Sequence, residues 1–296
     1  MCEDRLTAPL LGSLIDVIHE DKALGRILSW ARRRESRYVC LCNVHSLVTA
    51  GQDAEFALAV NASDMATPDG APVAWMLRRL GFSGQKRIAG ADLMWAVCAA
   101  AAGEVGRSLR VIASSGVDAR LAANNGGNLI RRDPAGPAIT NVESVEYLVP
   151  SIYLYGSSEE TLTILRRQLI ASFPELKIAG AYSPPFRSLT QVEDAAVIAA
   201  INNSGAGVVW VSLGCPKQEK WMAAHRGRIN AVMVGVGAAF EFHAGTIKRA
   251  PLWMQRAGLE WLHRFVSEPR RLWKRYLVTN ILFVLRACRQ LILGKK

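Results

Sequence analysis

Two apolar runs that end in glycine-bearing turns constrain the fold of this chain more tightly than any other feature: Val208-Val209-Trp210-Val211 and Ala231-Val232-Met233-Val234. Each has the length and β-branched content of a strand. Each is apolar at every position rather than at every second one, the pattern of a strand covered on both faces by helices. The first turn, Leu213-Gly214-Cys215-Pro216-Lys217-Gln218-Glu219, stops its strand at Gly214 and Pro216 and then resumes with helix formers. The second passes through Gly235-Val236-Gly237 into Ala238-Ala239-Phe240-Glu241. Open α/β sheets collect ligands beyond the carboxyl ends of their strands, where the N–H groups of helix starts attract phosphate. Gly214, Lys217, Gln218, Glu219, Gly235 and Gly237 are therefore candidates for contact with an anionic substrate. Taken singly, Lys217 and Glu219 read equally well as first-turn surface charges, and Gly-x-Gly as a packing turn. Two such units at one sheet edge favour the ligand.

Strand-like and helix-like segments alternate along the rest of the chain, which predicts a Rossmann-like, doubly wound, mostly parallel α/β sheet flanked by helices. Strands are expected at 38–42, 152–155, 177–179, 208–212 and 231–236, and helices at 54–61, 73–80, 92–102, 158–172 and 192–203. The run at 152–155 closes on Gly156, a further candidate at the same edge. A similar strand-like run at 109–116 precedes a breaker-rich stretch around Asn124-Asn125-Gly126-Gly127, so 104–150 is read as an insertion. The α/β domain then covers 1–250, and 251–296 forms a basic amphipathic helical appendage.

The charge belongs to that appendage. The net charge is +11, and from Lys248 onward twelve basic residues are opposed by Glu260 and Glu268 alone. A nucleic acid, an anionic membrane surface or an anionic ligand would all answer such a pattern. Nucleic acid ranks last, because no recognition helix or stacking motif is present. Wound as one helix, Arg270, Arg271, Lys274, Arg275, Arg286 and Arg289 share a sector opposite Leu272, Trp273, Tyr276, Phe283, Val284 and Leu291. That is the form of an interfacial anchor, or of a terminal helix docked on its own domain. Arg286 and Arg289 interrupt the apolar stretch, so no membrane span is expected. Met1-Cys2-Glu3-Asp4-Arg5 is acidic and reads against a secretory signal, and the six cysteines show no C-x-x-C spacing, which fits a reducing cytoplasm.

Acidic chemistry is concentrated elsewhere. Asn43 closes the first strand, and Pro68-Asp69-Gly70 precedes a helix start at Pro72. Asp69 serves either as a turn former or as a carboxylate held at the sheet edge as a general base, with Asn43 supplying an amide that orients it or a sugar hydroxyl. Arg87 and Gly90 suit an anion approaching a helix start, and Asp92 is read as an N-cap. No Asp-x-Asp pair follows an apolar strand, so diphosphate charge would be met by Lys, Arg and helix N-termini rather than by a metal.

Six blocks together resemble the WecG/TagA/CpsF glycosyltransferases: Asn43-Val44, Pro68-Asp69-Gly70, 87–93, 214–219, Gly235-Val236-Gly237, and 248–271 with its Lys248-Arg249-Ala250-Pro251 and Glu268-Pro269-Arg270-Arg271 tetrads. The resemblance implies an inverting, cofactor-free and metal-free transfer of a sugar from a UDP-sugar donor to a polyprenyl-diphosphate-linked acceptor in bacterial surface polysaccharide assembly. The sugar would be of N-acetylmannosamine, N-acetylmannosaminuronic acid or glucose type. It implies an enzyme peripheral to the inner face of the cytoplasmic membrane, and leaves room for a homo-oligomer. Asp69 would be the base, Asn43 and Gln218 pocket residues, and Arg249, Arg264 and Arg271 ligands of the lipid diphosphate. Leu41 departs from the pattern, because members often carry Thr two residues before the Asn. The rival reading is a non-catalytic nucleotide-sugar-binding regulator of a membrane assembly, which has no use for Asp69. A Rossmann oxidoreductase fits worse, since no strand leads into a full G-x-G-x-x-G.

Overall fold

A computed structural model describes residues 5–103 and 150–293. The segment read as an insertion, with its strand-like run at 109–116, lies outside the described residues but for Pro150. Six parallel strands form the main sheet in the order β4-β3-β8-β7-β5-β6: β3 (Arg37–Cys42), β4 (Met65–Pro68), β5 (Ile152–Gly156), β6 (Ile178–Tyr182), β7 (Val208–Ser212) and β8 (Val232–Gly235). The doubly wound architecture follows from side-chain alternation within each strand. Val39 and Leu41 of β3, with Val208 and Trp210 of β7, join one core. There they meet α1 (Glu20–Arg32), α5 (Gly90–Ala101), α6 (Glu159–Ser172) and α9 (Ala239–Ala244). Tyr38, Cys40, Cys42, Val209 and Val211 point the other way. That second core is closed by α2 (Val44–Ala50), α3 (Ala54–Asn61), α4 (Ala71–Arg79), α7 (Gln191–Asn203) and α8 (Lys217–His225). Continuous apolar strands are thus the record of burial on two sides.

Local chemistry sets the helix starts. Asp53 caps α3 by accepting from Phe56 N at 3.0 Å, and Ser158 caps α6 through Thr161 N at 3.2 Å. Thr190 and Glu193 form a reciprocal capping box at the start of α7. Asp92, expected to cap, does not: the cap position of α5 is Ala89, and Asp92 is the third residue of its first turn, where its carboxylate faces Arg249.

Three strands escaped the sequence reading. β1 (Thr7–Leu10) and β2 (Ser13–Asp16) form a hairpin, and β4 is four residues ending at Pro68. Pro68 and Asp-Gly read locally as a turn; pairing with β3 makes the preceding residues a strand, and a proline at the end of an edge strand sacrifices little hydrogen bonding. The hairpin covers that edge. Asp16 accepts from Ala66 N at 2.6 Å while forking to Arg5, which occupies edge groups that would otherwise invite another strand.

The appendage comprises α10 (Leu252–Arg256), α11 (Glu260–Ser267) and α12 (Pro269–Leu293). α12 docks along α2: Phe283 and Ala287 are buried in the second core, Arg286 donates to Val48 O, and Gln290 donates to Pro9 O and accepts from Leu11 N. The docked edge therefore takes Arg286 from the sector read as basic and Phe283 from the sector read as apolar. The opposite edge is apolar, with Leu277, Val278, Ile281, Val284 and Leu285 all more than half exposed. By length and composition alone, Tyr276–Leu293 is long and apolar enough to cross a membrane despite its two arginines.

Candidate active site

Register builds the site. Cys42 lies opposite Pro68, so Asn43 and Asp69 leave neighbouring strands side by side, and Asp69 N extends the ladder by one bond to Cys42 O at 2.9 Å. Val211 lies opposite Gly235, and Gly156 opposite Ser212. The glycine turns, Asp69 and Ser157 therefore share one sheet edge, where they line a cleft of about 1640 Å³.

Asn43 is the N-cap of α2. Its Oδ1 accepts from Ser46 N at 3.2 Å, which leaves its NH₂ to donate to the Asp69 carboxylate. Asp69 is half-buried, and its pKa is pushed up to about 6. Burial is the largest cause and the nearby Glu260 charge adds to it, while Arg87, the Asn43 amide and Arg264 pull the other way. A carboxylate near 6 is still mostly ionised at neutral pH, yet takes up a proton more readily than an exposed one, which suits a general base. Gly70 follows at φ 92°, a conformation glycine adopts without strain, and Pro72 falls in the first turn of α4.

The appendage reaches this corner directly. Glu260 accepts from Arg87 at 2.7 Å and from Arg249 Nε at 3.3 Å. Arg249 also forks onto both carboxylate oxygens of Asp92, which holds Asp92 below the usual carboxylate range. Gly258, at φ 74°, abuts the start of α4: a Cβ there would lie 2.7 Å from Ala71 Cβ. Arg264 stands over the Phe242 ring, 5.7 Å from its centroid, and its Nε has no hydrogen-bond partner. Of the three arginines expected to hold a lipid diphosphate, Arg249 is thus engaged with carboxylates, while Arg264 carries no ion pair among the described residues. Arg271 lies on α12, and its side chain is outside those described.

At the centre, Gln218 and Glu219 are buried in the first turn of α8, and Gln218 Nε2 donates to Glu219 Oε1 at 3.1 Å. Gln218 Oε1 has no hydrogen-bond partner. Lys217 opens α8 at the cleft wall. Several of the expected glycines have packing reasons for their size. A Cβ on Gly90 would meet Leu41 Cδ1 at 2.8 Å, and one on Gly235 would meet Met222 Cε at 2.7 Å. On Gly156 it would stand 2.2 Å from Ser212 O. Gly214 and Gly237 have positive φ, 77° and 52°. Among the described residues, no three His, Cys, Asp or Glu side chains form a group able to hold a metal ion.

Sequence reasoning passed over Glu260, Ser157 and Glu241 as site residues, and all three line the cleft. Glu260 had a signal, as one of two acids in a strongly basic tail. Ser157 and Glu241 had none, because 84 residues separate them and only the sheet brings them together.

The profile of the "Glycosyl transferase WecG/TagA/CpsF family" matches residues 8–129 and 141–296. An N-acetylglucosaminyldiphosphoundecaprenol N-acetyl-beta-D-mannosaminyltransferase of Bacillus subtilis (strain 168) is 37% identical over 128 residues, which is 43% of this chain. The match spans about half of that relative, 47% of its length.

Proposed function

The chain belongs to the glycosyl transferase WecG/TagA/CpsF family, and from that premise we propose that it transfers a sugar from a UDP-sugar to a polyprenyl-diphosphate-linked saccharide, with inversion and without a metal. The acceptor class is that named for the Bacillus subtilis relative, and the donor sugar is of N-acetylmannosamine, N-acetylmannosaminuronic acid or glucose type. One observation carries the reading: a half-buried carboxylate with a raised pKa, oriented by an amide and faced by arginines, at the carboxyl edge of a parallel sheet.

In this mechanism the acceptor hydroxyl gives its proton to Asp69 as its oxygen attacks the anomeric carbon. The bond from that carbon to the β-phosphate oxygen breaks on the opposite face, and UDP leaves with the electron pair. Lys217 and Arg87 are cations placed to offset the charge that develops on UDP, a role in which one well-aimed donor contributes about 3 kcal/mol. Arg264 and Arg271 would hold the acceptor diphosphate. Arg249 acts at one remove, by fixing Glu260 and Asp92. The apolar outer edge of α12, together with exposed Leu252, Trp253 and Val266 elsewhere on the appendage, supports seating of the appendage in an anionic membrane surface, where the lipid acceptor resides. The division at residue 250 into a catalytic domain and a membrane-facing appendage, the cytoplasmic-face location and self-association belong to the same proposal.

Incubation with a panel of labelled UDP-sugars and a short polyprenyl-diphosphate-linked acceptor tests it. One donor should give an inverted glycoside product at a rate that EDTA leaves unchanged. Binding of UDP-sugars without any product would favour the regulator instead.

A further inference from the structure

Glu260, an acid in a basic tail, joins the appendage to the corner that holds Asp69. It is the first residue of α11, and from Lys248 onward Glu268 is the other acid against twelve bases. A helix start favours a carboxylate, which accounts for the charge but not for its partners. Glu260 Oε2 accepts from Arg87 Nη1 at 2.7 Å, and Oε1 accepts from Arg249 Nε at 3.3 Å. The three side chains are 20–23% exposed, so solvent and salt screen these pairs less than surface ones. Two residues before Glu260, Gly258 packs against Ala71, itself two residues after Asp69. The appendage is thus fixed both to Arg87 and to the start of α4.

Arg87 is the cation that this arrangement controls. It lies close enough to Asp69 to favour the charged carboxylate, yet its ion pair is with Glu260. Asp69 also faces the Asn43 amide from α2, Arg264 from α11, and the Cys42 thiol of β3, which burial keeps neutral. A carboxylate locked to a guanidinium is a weaker base, because taking up a proton breaks the pair. Glu260 prevents that lock by engaging Arg87, and it sets a second negative charge near Asp69 that favours proton uptake. Arg264 lies one turn further along the same helix. Lifting the appendage therefore removes Glu260 and Arg264 together and leaves Arg87 beside Asp69 without its partner.

We propose that Glu260 is a positioning residue for the base: by holding Arg87 away from Asp69, it makes the carboxylate competent only while the appendage is seated on the cleft. The inference rests on the reading of Asp69 as the base and adds a coupling between seating and chemistry. A cleft that disarms its base when the appendage lifts does not transfer the donor sugar to water.

The pH dependence of kcat/KM tests this, measured from pH 5 to 8 on the full chain with a water-soluble, short-chain diphosphate-linked acceptor, so that vesicle binding plays no part. Glu260→Gln keeps the shape and removes the charge. Its kcat/KM should lie about 3- to 10-fold below that of the unmodified enzyme at pH 7.5, and the deficit should shrink towards pH 5, because a base paired with Arg87 stays ionised to lower pH. A merely structural role would lower the rate by one factor at every pH. Thermal melts establish folding. If Glu260→Gln melts early, a second comparison replaces it: Arg87→Gln should move the acid limb to higher pH, and adding Glu260→Gln should bring it back. A deficit uniform across pH, no deficit, or an acid limb indifferent to both residues overturns the proposal. Turnover that survives Asp69→Asn sinks the base reading and this inference together. Loss of turnover in Asp69→Asn, with a pH profile that Glu260→Gln leaves in place, sinks this inference alone.

Discussion

Replacing Asp69 by Asn separates catalysis from stability, because the two should move in opposite directions. Burial pushes the carboxyl up to about 6 in the folded protein from its ordinary 3.8, so the folded state binds its proton more tightly than the unfolded one. For a raised carboxyl, stability is highest where the group is protonated in both states and falls as pH rises from 3.8 towards 6. At neutral pH that rise corresponds to at most about 3 kcal/mol of destabilisation by the charged form. Asn keeps the shape and removes the charge. It should therefore raise the melting temperature at pH 7 by a few degrees, an effect that shrinks below pH 4. Turnover should fall by about 100-fold or more, the usual contribution of a positioned base, while UDP affinity stays within about twofold. In the unmodified enzyme kcat/KM should decline below pH 6 and stand near a tenth of its plateau at pH 5. The assays are product formation across pH 5–8 and scanning fluorimetry of both proteins. A variant that keeps more than a tenth of the turnover refutes Asp69 as the base. One that melts lower at pH 7 refutes the account of its burial.

Two further perturbations probe the frame around the site. Leu277→Glu with Val284→Glu alters exposed positions on the outer edge of α12, so the melting temperature should hold, yet co-sedimentation with anionic vesicles should drop at least tenfold, since burying two such side chains contributes about 3–5 kcal/mol. Turnover on a long-chain lipid acceptor should drop with it, and undiminished vesicle binding would remove α12 from the membrane role. Gly156→Ala places a Cβ 2.2 Å from Ser212 O at φ 112° and should destabilise the protein by about 3 kcal/mol or more, read by chemical denaturation; a neutral result would mean that β5 and β7 part freely at their ends.

Periodicity and composition determined much of this protein. Apolar runs of strand length without alternation read as strands covered on both faces, so most of the parallel sheet and the turns at Gly214 and Gly235 were legible, though β4 and the extents of the helices after those turns were not. Asn43 and Asp69 could be singled out because each closes a strand or opens a helix, features that local chemistry writes into a few neighbouring residues. Tertiary structure alone decided what those residues face. β4 exists because β3 offers it a ladder, and the same pairing sets Asp69 beside the Asn43 amide. Helical spacing predicted a basic and an apolar side for α12, but docking on α2 selected an edge that carries both, because contact with a particular partner outweighs a helix's average polarity. Glu260 between Arg87 and Arg249, and Ser157 against Glu241, are meetings of residues far apart in the chain. A sequence pattern records which groups must be buried or turned locally, whereas the partner that neutralises a charge or leaves an acceptor open is fixed only when the sheet has brought its edges into register.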